Sequence, residues 1–367
     1  MGVRSRPECG NCGRLLFGFK ARIRPNPWTG GASHMFDGIN LFFANALRWI
    51  YGWVGSYGWS VVIFTFMIRL VILPLTAKSR KGMRSMTKVQ PKMAELQKKY
   101  ANDKEKLNQK TMELYKKEGV SPMAGCLPML LQWPILIFMF TAMRVVANEY
   151  TVQMLLDMQN GIMPNLQGWL WIKNVFQPDS FMATILPAAG SALPTIQTVG
   201  YSSILTAENL ETVRAFLQTE QYAAIAAQYG ANAFMQIPLN FIFIAPTLTL
   251  PNSFYALTHY ANGLFLLPLL AGLSQFLMTK IMNPEQKMTE AEKIAKQQQE
   301  TNAMNSNFMK WFFPLFSVWI CATSNSAFSI YWMAVNIISI GETVVLNKIF
   351  DAQDARQSAK AAMDSHK

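Results

Sequence analysis

The feature that most constrains this chain is the run Tyr57 to Ala77, YGWSVVIFTFMIRLVILPLTA, in which Arg69 is the only charge. Crossing the hydrocarbon core of a bilayer takes about 20 predominantly apolar residues at 1.5 Å rise per residue, and this run supplies them. Gly125 to Val146 is uncharged until Arg144, and Ala261 to Met282 is uncharged until Lys280. Trp311 to Ser324 and Ala327 to Leu346 follow as a closely spaced pair. Helices of soluble proteins rarely stay apolar all round for so long. Composition agrees: 51% of the residues are apolar and 15% charged, against about 25% charged in a soluble domain.

The expectation is therefore an all-α polytopic membrane protein with a five-helix transmembrane bundle. Its spans fall at 57–77, 124–146, 261–282, 308–324 and 327–346. The fourth is short if it begins at Trp311, which would thin the bilayer beside it; it is longer if it begins at Phe308, with Lys310 reaching back toward the headgroups. Residues 35–56 predict an interfacial amphipathic helix, with Trp49 and Trp53 at headgroup level and Arg48 opposing a span there. Phe241 to Leu250 is too short to cross, contains Pro246, and also reads as interfacial.

Charge in the connecting segments orients the bundle. Lys78 to Glu118 holds 13 Lys/Arg against 5 Asp/Glu, a net of +8, whereas Ala147 to Thr258 holds 2 against 6, a net of −4. Basic loops stay cytoplasmic, so 78–120 and the 283–307 connection are expected inside, the long 147–258 loop and the N-terminus outside, and the 347–367 tail inside. Residues 1–34 disagree, with six basic residues and one acidic. They read as a flexible leader, or as a misplaced start with Met35 as the true one.

The basic segment is rich in strong helix formers and predicts two short helices that form a cytoplasmic hairpin, with Asn102 as N-cap, Gly119 as stop and Pro91 kinking or restarting the first arm. Lys88, Lys92, Lys98 and Lys99 are its candidate contacts. Attraction to anionic lipid, at about 1 kcal/mol per basic residue near the surface, competes with contact to an incoming chain or ribosomal RNA as the meaning of that charge.

Inside the spans, Arg69 lies near mid-membrane, where a guanidinium costs roughly 2.5–3.5 kcal/mol on insertion scales and usually faces a wet cavity or a partner. Thr65, Arg69 and Thr76 share a face at i, i+4, i+11. The fifth span carries a second polar stripe, Ser329, Trp332, Asn336, Ser339 and Glu342; Gln132, Ser274, Gln275 and Thr279 come from the second and third. Glu342 is expected near the cytoplasmic end of its helix, too deep to neutralise Arg69. The cation is then expected without a counter-ion in a hydrated pocket formed with Thr65, Thr76, Gln132, Gln275, Ser329, Trp332 and Asn336. The competing reading has Arg69 snorkel to the headgroups and the stripes bind helix to helix. Cys9-Gly-Asn-Cys12 is a lone CxxC, no lipobox precedes it, and Cys126 and Cys321 fall at opposite faces as free thiols. No nucleotide-binding, metalloprotease or triad motif occurs, so no cofactor, metal site or enzymatic reaction is expected.

The segments MIRLVILPLTAKS (67–79), VQPKMAELQKKY (89–100), KEKLNQKTMELYKKEGVSPMAGCLPMLLQWPILIFMF (104–140) and FSIYWMAVNIIS (328–339) resemble the YidC/Oxa1/Alb3 membrane protein insertases, in family order. The resemblance implies a five-span, N-outside bacterial plasma-membrane protein. Its groove, open to cytosol and lipid, would be lined by the residues corresponding to Arg69, Gln132 and Trp332, and the absence of a large domain before the first span implies the Gram-positive type. It implies nascent membrane proteins and the lipid bilayer as partners, leaves a Sec translocon and the ribosome open, and calls for no small-molecule cofactor. An assembly factor for multi-subunit complexes is the alternative. A solute transporter fits less well, because neither an internal repeat nor paired midplane charges are visible.

Overall fold

A computed structural model describes residues 31–120, 127–188, 200–238, 247–282 and 306–365. These residues are mostly helical, with one two-stranded antiparallel sheet. Expectations for residues 1–30 of the leader, for Cys9, Cys12 and Cys126, for 283–305 and for the 241–246 part of the interfacial run lie outside the described residues.

α1 (Gly31–Val54) ends at Gly55, whose φ of 70° turns the chain into α2; glycine takes this left-handed conformation without a Cβ penalty. α1 buries Ala44, Leu47 and Ile50, leaves Trp49 and Trp53 exposed, and pairs Arg48 with Glu149, whose Oε2 accepts from Nε at 2.9 Å. The charge that opposes insertion of α1 is thus half-buried in an ion pair.

α2 (Tyr57–Lys99) is one helix of 43 residues that passes through Pro74 and Pro91. It therefore contains both the first apolar span and the first arm of the hairpin, and Pro91 does not restart it. Ion pairs from Lys88 and Lys92 and the buried Val89 hold the helix on either side of that proline. α3 (Lys104–Glu118) forms the return arm. Its N-cap is Asp103 rather than Asn102: the Asp103 side chain accepts the Lys106 backbone N–H at 3.0 Å. Gly119 ends it at φ 63°, as expected.

α4 (Leu127–Gln159) runs well past residue 146 into what the sequence assigns to the outer loop. That loop is folded. α5 (Ala207–Phe216) and α6 (Glu220–Gln228) are both capped by threonines, and β1 (Phe234–Pro238) pairs with β2 (Thr247–Pro251) in the register Phe234 opposite Pro251. α7 (Phe254–His259) leads to α8 (Leu266–Met282). The described part of the apolar run 241–250 is therefore a β-strand.

The third expected span begins five residues late, because 261–265 is held as a strap. Asn262 Nδ2 donates to the carbonyls of Asn174 and Pro178, both at 2.9 Å. Asp179, fully buried, then accepts the Leu267 N–H at 2.6 Å and the Phe265 N–H at 3.2 Å. Asp179 thereby presents its carboxylate to the first turn of α8, where the helix dipole favours negative charge. α9 (Ser306–Thr323) starts before Trp311, so the longer version of the fourth span is the one present. α10 (Ser326–Ser365) continues the fifth span through the tail as one helix of 40 residues.

By length and composition, α2, α4 and α10 each contain a segment able to cross a membrane, Tyr57–Met86, Gln132–Gln159 and Ser326–Asp364. α8 and α9 are shorter apolar helices of 17 and 18 residues, about 26 and 27 Å long. α8 packs on α9 and α10, α10 on α2, and α1 on α2 and α4. α8 and α9 approach closely at Gly272, where a Cβ would lie 2.4 Å from Val318 Cγ2. α4 touches α2 and α10 far more sparsely than α10 touches α2.

Candidate functional site

Two helices position the central cation, and both start from the same short segment. Tyr57, the first residue of α2, packs its ring on Phe176 at 4.8 Å. At the start of α10, the Ser326 and Ala327 backbone N–H groups donate to the Gln177 and Val175 carbonyls, each at 2.9 Å. Depths along the two helices therefore share an origin at residues 175–177. Arg69 lies 12 residues below Tyr57, about 18 Å, and Glu342 lies 16 residues below Ser326, about 24 Å. An offset of about 6 Å is within reach of an arginine and a glutamate side chain together.

The two do meet. Arg69 Nη1 lies 3.8 Å from Glu342 Oε2, and both side chains are more than nine-tenths buried. Arg69 Nη2 donates to Gln132 Oε1 on α4 at 3.1 Å. The expectation of a guanidinium without a counter-ion is thus overturned, and the reason is depth: counted from its own start Glu342 looks cytoplasmic, but counted from the shared anchor it is one turn below Arg69. A second buried cation, Arg80, follows Arg69 by 11 residues on the same face of α2 and also interacts electrostatically with Glu342. Tyr331 does the same with Arg69 from α10. The cluster holds two guanidinium groups and one carboxylate.

Its hydrogen bonding is incomplete. A guanidinium carries five N–H donors, and among the described residues Arg69 uses one in a hydrogen bond, to Gln132. The Tyr331 hydroxyl and Glu342 Oε2 are buried without a hydrogen-bond partner among the described residues. Buried polar groups are nearly always satisfied by protein, water or ligand, so the cluster has capacity to spare.

The remaining candidate residues divide between this cluster and the helix contacts. Thr65, one turn above Arg69, is buried and donates to the Val61 carbonyl at 2.7 Å; Thr76, half-buried, donates to that of Leu73 at 2.9 Å. The fifth-span stripe turns largely toward α8 and α9. Ser329 donates to the Cys321 carbonyl at 3.1 Å, Trp332 Nε1 to Ser317 at 3.1 Å, and Asn336 Nδ2 to Ser274 at 3.1 Å. Gln275 is half-buried on α8. Arg80 and Tyr331 escaped the sequence reading. The signal for Arg80 was its i+11 spacing from Arg69; Tyr331 lay within the resembling segment 328–339 but carried no charge to draw attention.

At the hairpin end, Arg84 pairs with Asp351 and Asp354, and Lys88 Nζ donates to Asp354 at 2.8 Å, tying α2 to the tail of α10. Lys92 Nζ donates to Glu118 at 2.6 Å and joins the two hairpin arms. Of the four candidate hairpin lysines, Lys88 and Lys92 are thus engaged by acidic partners, whereas Lys98 and Lys99 are exposed near the tip, Lys99 lying 5.8 Å from the Tyr100 ring centroid. The tail's net charge says little, because Asp351 and Asp354 are both placed on the side facing α2.

Long apolar helices around a buried cluster of two cations and one anion define an α-helical multi-pass membrane protein with a polar site inside its bundle. Comparison with known proteins makes this specific. The family model described as "60Kd inner membrane protein" matches residues 49–251 and 222–354, and the chain belongs to that family, which is the YidC/Oxa1 family its motifs resemble. A membrane protein insertase YidC of Fusobacterium nucleatum is 37% identical over 165 residues, covering 45% of this chain and 72% of the relative. One from Geobacter sp. (strain M21) is 37% identical over 139 residues, covering 38% of this chain and 23% of the relative. One from Wolinella succinogenes is 44% identical over 115 residues, covering 30% and 21%. The chain thus spans most of the first relative's length and about a fifth to a quarter of the other two. All three are named for insertion rather than for an enzymatic reaction.

Proposed function

We propose that this protein inserts nascent membrane proteins into the bilayer, taking the short polar segment of a client past Arg69 while the apolar segment moves sideways into lipid. The observation that carries this reading is the buried, partly satisfied guanidinium of Arg69. Its location supports the same reading: it sits where α4 makes only sparse contact with α2 and α10, bridged by Gln132. A client strand entering between α4 and the other two helices would meet spare donors on Arg69, with Thr65, Thr76 and Gln132 beside it.

In this mechanism the hairpin faces the cytosol and the 160–260 segment faces outward, following the +8 and −4 charges of the two loops and the positive-inside rule. Of the four candidate hairpin lysines, Lys98 and Lys99 at the exposed tip are the ones left to meet an incoming chain. Nucleotide hydrolysis is unnecessary. Each Leu, Ile, Phe or Val reaching mid-membrane contributes roughly 0.3–0.6 kcal/mol, and the membrane potential adds about 2.3 kcal/mol per charge per 100 mV. Ser329, Trp332 and Asn336 serve the groove from behind, by fixing α10 against α8 and α9.

The test is complementation of an insertase-depleted strain with Arg69→Ala, Arg69→Glu and Arg69→Lys. Partial or full rescue by the lysine form with failure of the other two is expected; full rescue by alanine or glutamate would remove the electrostatic mechanism. Photocrosslinking from positions 76 and 132, beside the proposed path, to a stalled nascent chain separates insertion from assembly of finished subunits, which predicts capture of completed partners only.

A further inference from the structure

We propose that the hollow between β2, α7 and the strap binds a lipid acyl chain, and that residues 234–264 rest through it on the leaflet surrounding the start of α8. The inference goes beyond the insertase reading and requires only that the bundle sits in a bilayer.

The first observation is a lack of charge. Residues 221–279 contain no Asp, Glu, Lys or Arg, whereas 147–220 contain eight. α8 accounts for the end of this stretch, but the 45 residues 221–265 precede it. A water-facing segment of that length would carry about 11 charged residues at the usual quarter. Nor are its apolar side chains all internal: Met235, Tyr255 and Leu264 are about half-exposed, and Phe254 is 79% exposed. Contiguous exposed apolar surface marks a contact.

The second observation is continuity. Phe181, Leu250, Pro251, Leu257 and Leu264 line a hollow of about 400 Å³. Leu250 lies opposite Met235 in the sheet, so the two share a face and the apolar surface extends from the hollow onto β1. In the other direction Leu264 leads into Leu266, Leu269, Leu270, Leu273 and Leu277, exposed along one side of α8. Those leucines form the side of α8 that a bilayer would surround.

The level agrees. Lys173 Nζ donates to the Thr258 and Ala261 carbonyls at 3.2 and 3.0 Å. The last turn of α7 is therefore pinned to the segment 173–179 that also holds the starts of α2, α8 and α10. That is where headgroups give way to acyl chains, and aromatic residues such as Tyr255 favour this depth. Each strand of a two-stranded sheet has one edge without a strand partner, and lipid-exposed backbone edges are not tolerated in hydrocarbon. The sheet thus lies at headgroup depth, and an acyl chain rises into the hollow. A protein partner fits less well, because protein interfaces are rimmed by polar, solvent-accessible groups and 221–279 supplies no Asp, Glu, Lys or Arg.

The experiment uses the full chain, with native cysteines replaced, in phosphatidylethanolamine–phosphatidylglycerol vesicles. Single cysteines at Phe254→Cys, Leu264→Cys, Leu270→Cys and Glu208→Cys carry a fluorescent label, and nitroxide on the lipid acyl chains or iodide in the water quenches it. Labels at 254 and 264 should lose as much fluorescence to the lipid nitroxide as the label at 270 on α8, while the label at 208 on α5 responds only to iodide. Labels at 254 and 264 that behave like 208 would overturn the proposal. Shielding from both quenchers would overturn it too, since a second copy or other protein would then cover the face. A lipid with a diazirine on its acyl chain tests the hollow itself: it should label 250–264, and Leu257→Trp, which fills the hollow, should remove most of that labelling while 269–277 keep theirs. Equal labelling of 250–264 with and without Leu257→Trp would refute the acyl-chain site. Should Leu257→Trp fail to fold, Leu264→Asp at the exposed rim makes the same test. No arm reads client insertion, so failure here leaves the path at Arg69 standing, and failure of that path leaves the lipid site standing.

Discussion

The Asp179 carboxylate accepts the backbone N–H of Leu267, 88 residues further along the chain, at 2.6 Å. It also accepts the Phe265 N–H, and the Trp171 indole N–H at 3.3 Å. The close approach requires Gly263, since a Cβ there would lie 1.9 Å from Asp179 Oδ1. This contact determines where α8 begins and hence how α8 stands against α10, which carries Glu342.

Asp179→Ala should therefore destabilise the fold by about 2–4 kcal/mol, because it leaves buried donors without partners. Gly263→Ala should cost a similar amount, by forcing the carboxylate off the helix end. Thermal unfolding in detergent measures both. Asp179→Asn, which retains an acceptor oxygen, should lose less than Asp179→Ala, and an equal loss would mean that hydrogen bonding is not what the residue provides.

At the α8–α9 crossing, Gly272→Ala puts a Cβ into Val318 Cγ2 and 3.2 Å from the Pro314 carbonyl. Overpacking of this kind costs roughly 1–3 kcal/mol. Val318→Ala in the same chain should recover part of the loss, while Val318→Ala alone should destabilise by leaving a small void. Detergent melting curves of the two single variants and the double variant test this, and additive losses would refute close packing at the crossing.

Much of the bundle was legible in sequence because apolar length is a local property: the spans starting at Tyr57, Gly125 and Ala327 need only counting. The stop at Gly119 was legible for the same reason. What the sequence hid was relative depth. Glu342 belonged visibly to the polar stripe of its helix, but nothing local says that α2 and α10 both hang from residues 175–177. The loop end was hidden too, since the late start of α8 depends on Asn174, Asp179 and Asn262 meeting across more than eighty residues. Trp332 and Asn336 were legible as polar but not by direction, and direction decides whether such residues line a groove or join helices.

The link between hairpin and tail should be electrostatic and weak. Arg84 and Lys88 meet Asp351 and Asp354 at the surface, where each pair contributes about 0–1 kcal/mol and salt screens it. Hydrogen exchange in residues 347–360 should accelerate in high salt and in Arg84→Glu, and slow again when Arg84→Glu is combined with Asp351→Arg. Exchange unaffected by either treatment would show that the tail helix is held by packing instead.

Acid should loosen the hairpin at one defined place. The backbone N–H and side chain of Lys106 hold the Asp103 carboxyl below the usual carboxylate range. The folded pKa is lowered, so the contribution is fully present above the ordinary aspartate value and is lost as pH falls through the lowered one. The first turn of α3 should then fray on acidification, seen as faster amide exchange at residues 105–107. Asp103→Ala should show that fraying already at neutral pH and no further acid response, and an unchanged acid response in that variant would assign the effect to another group.

Access to the site is the last point the geometry makes testable. Gln132 is half-buried and faces Arg69 across the sparse contact between α4 and α2, whereas Asn336 is buried against Ser274 on α8. In a chain whose native cysteines are replaced, Gln132→Cys should react with a membrane-impermeant maleimide added from the hairpin side, and Asn336→Cys should not. Ile137, on α4 one turn beyond Trp133, is exposed and no described residue covers it; as a lipid-facing position it should stay unreactive. Equal labelling at 132 and 137 would mean that reagent follows lipid exposure rather than a wet path. Labelling at neither would mean that water does not reach Arg69 from that side, and the proposed client path between α4 and α2 would lose its entrance.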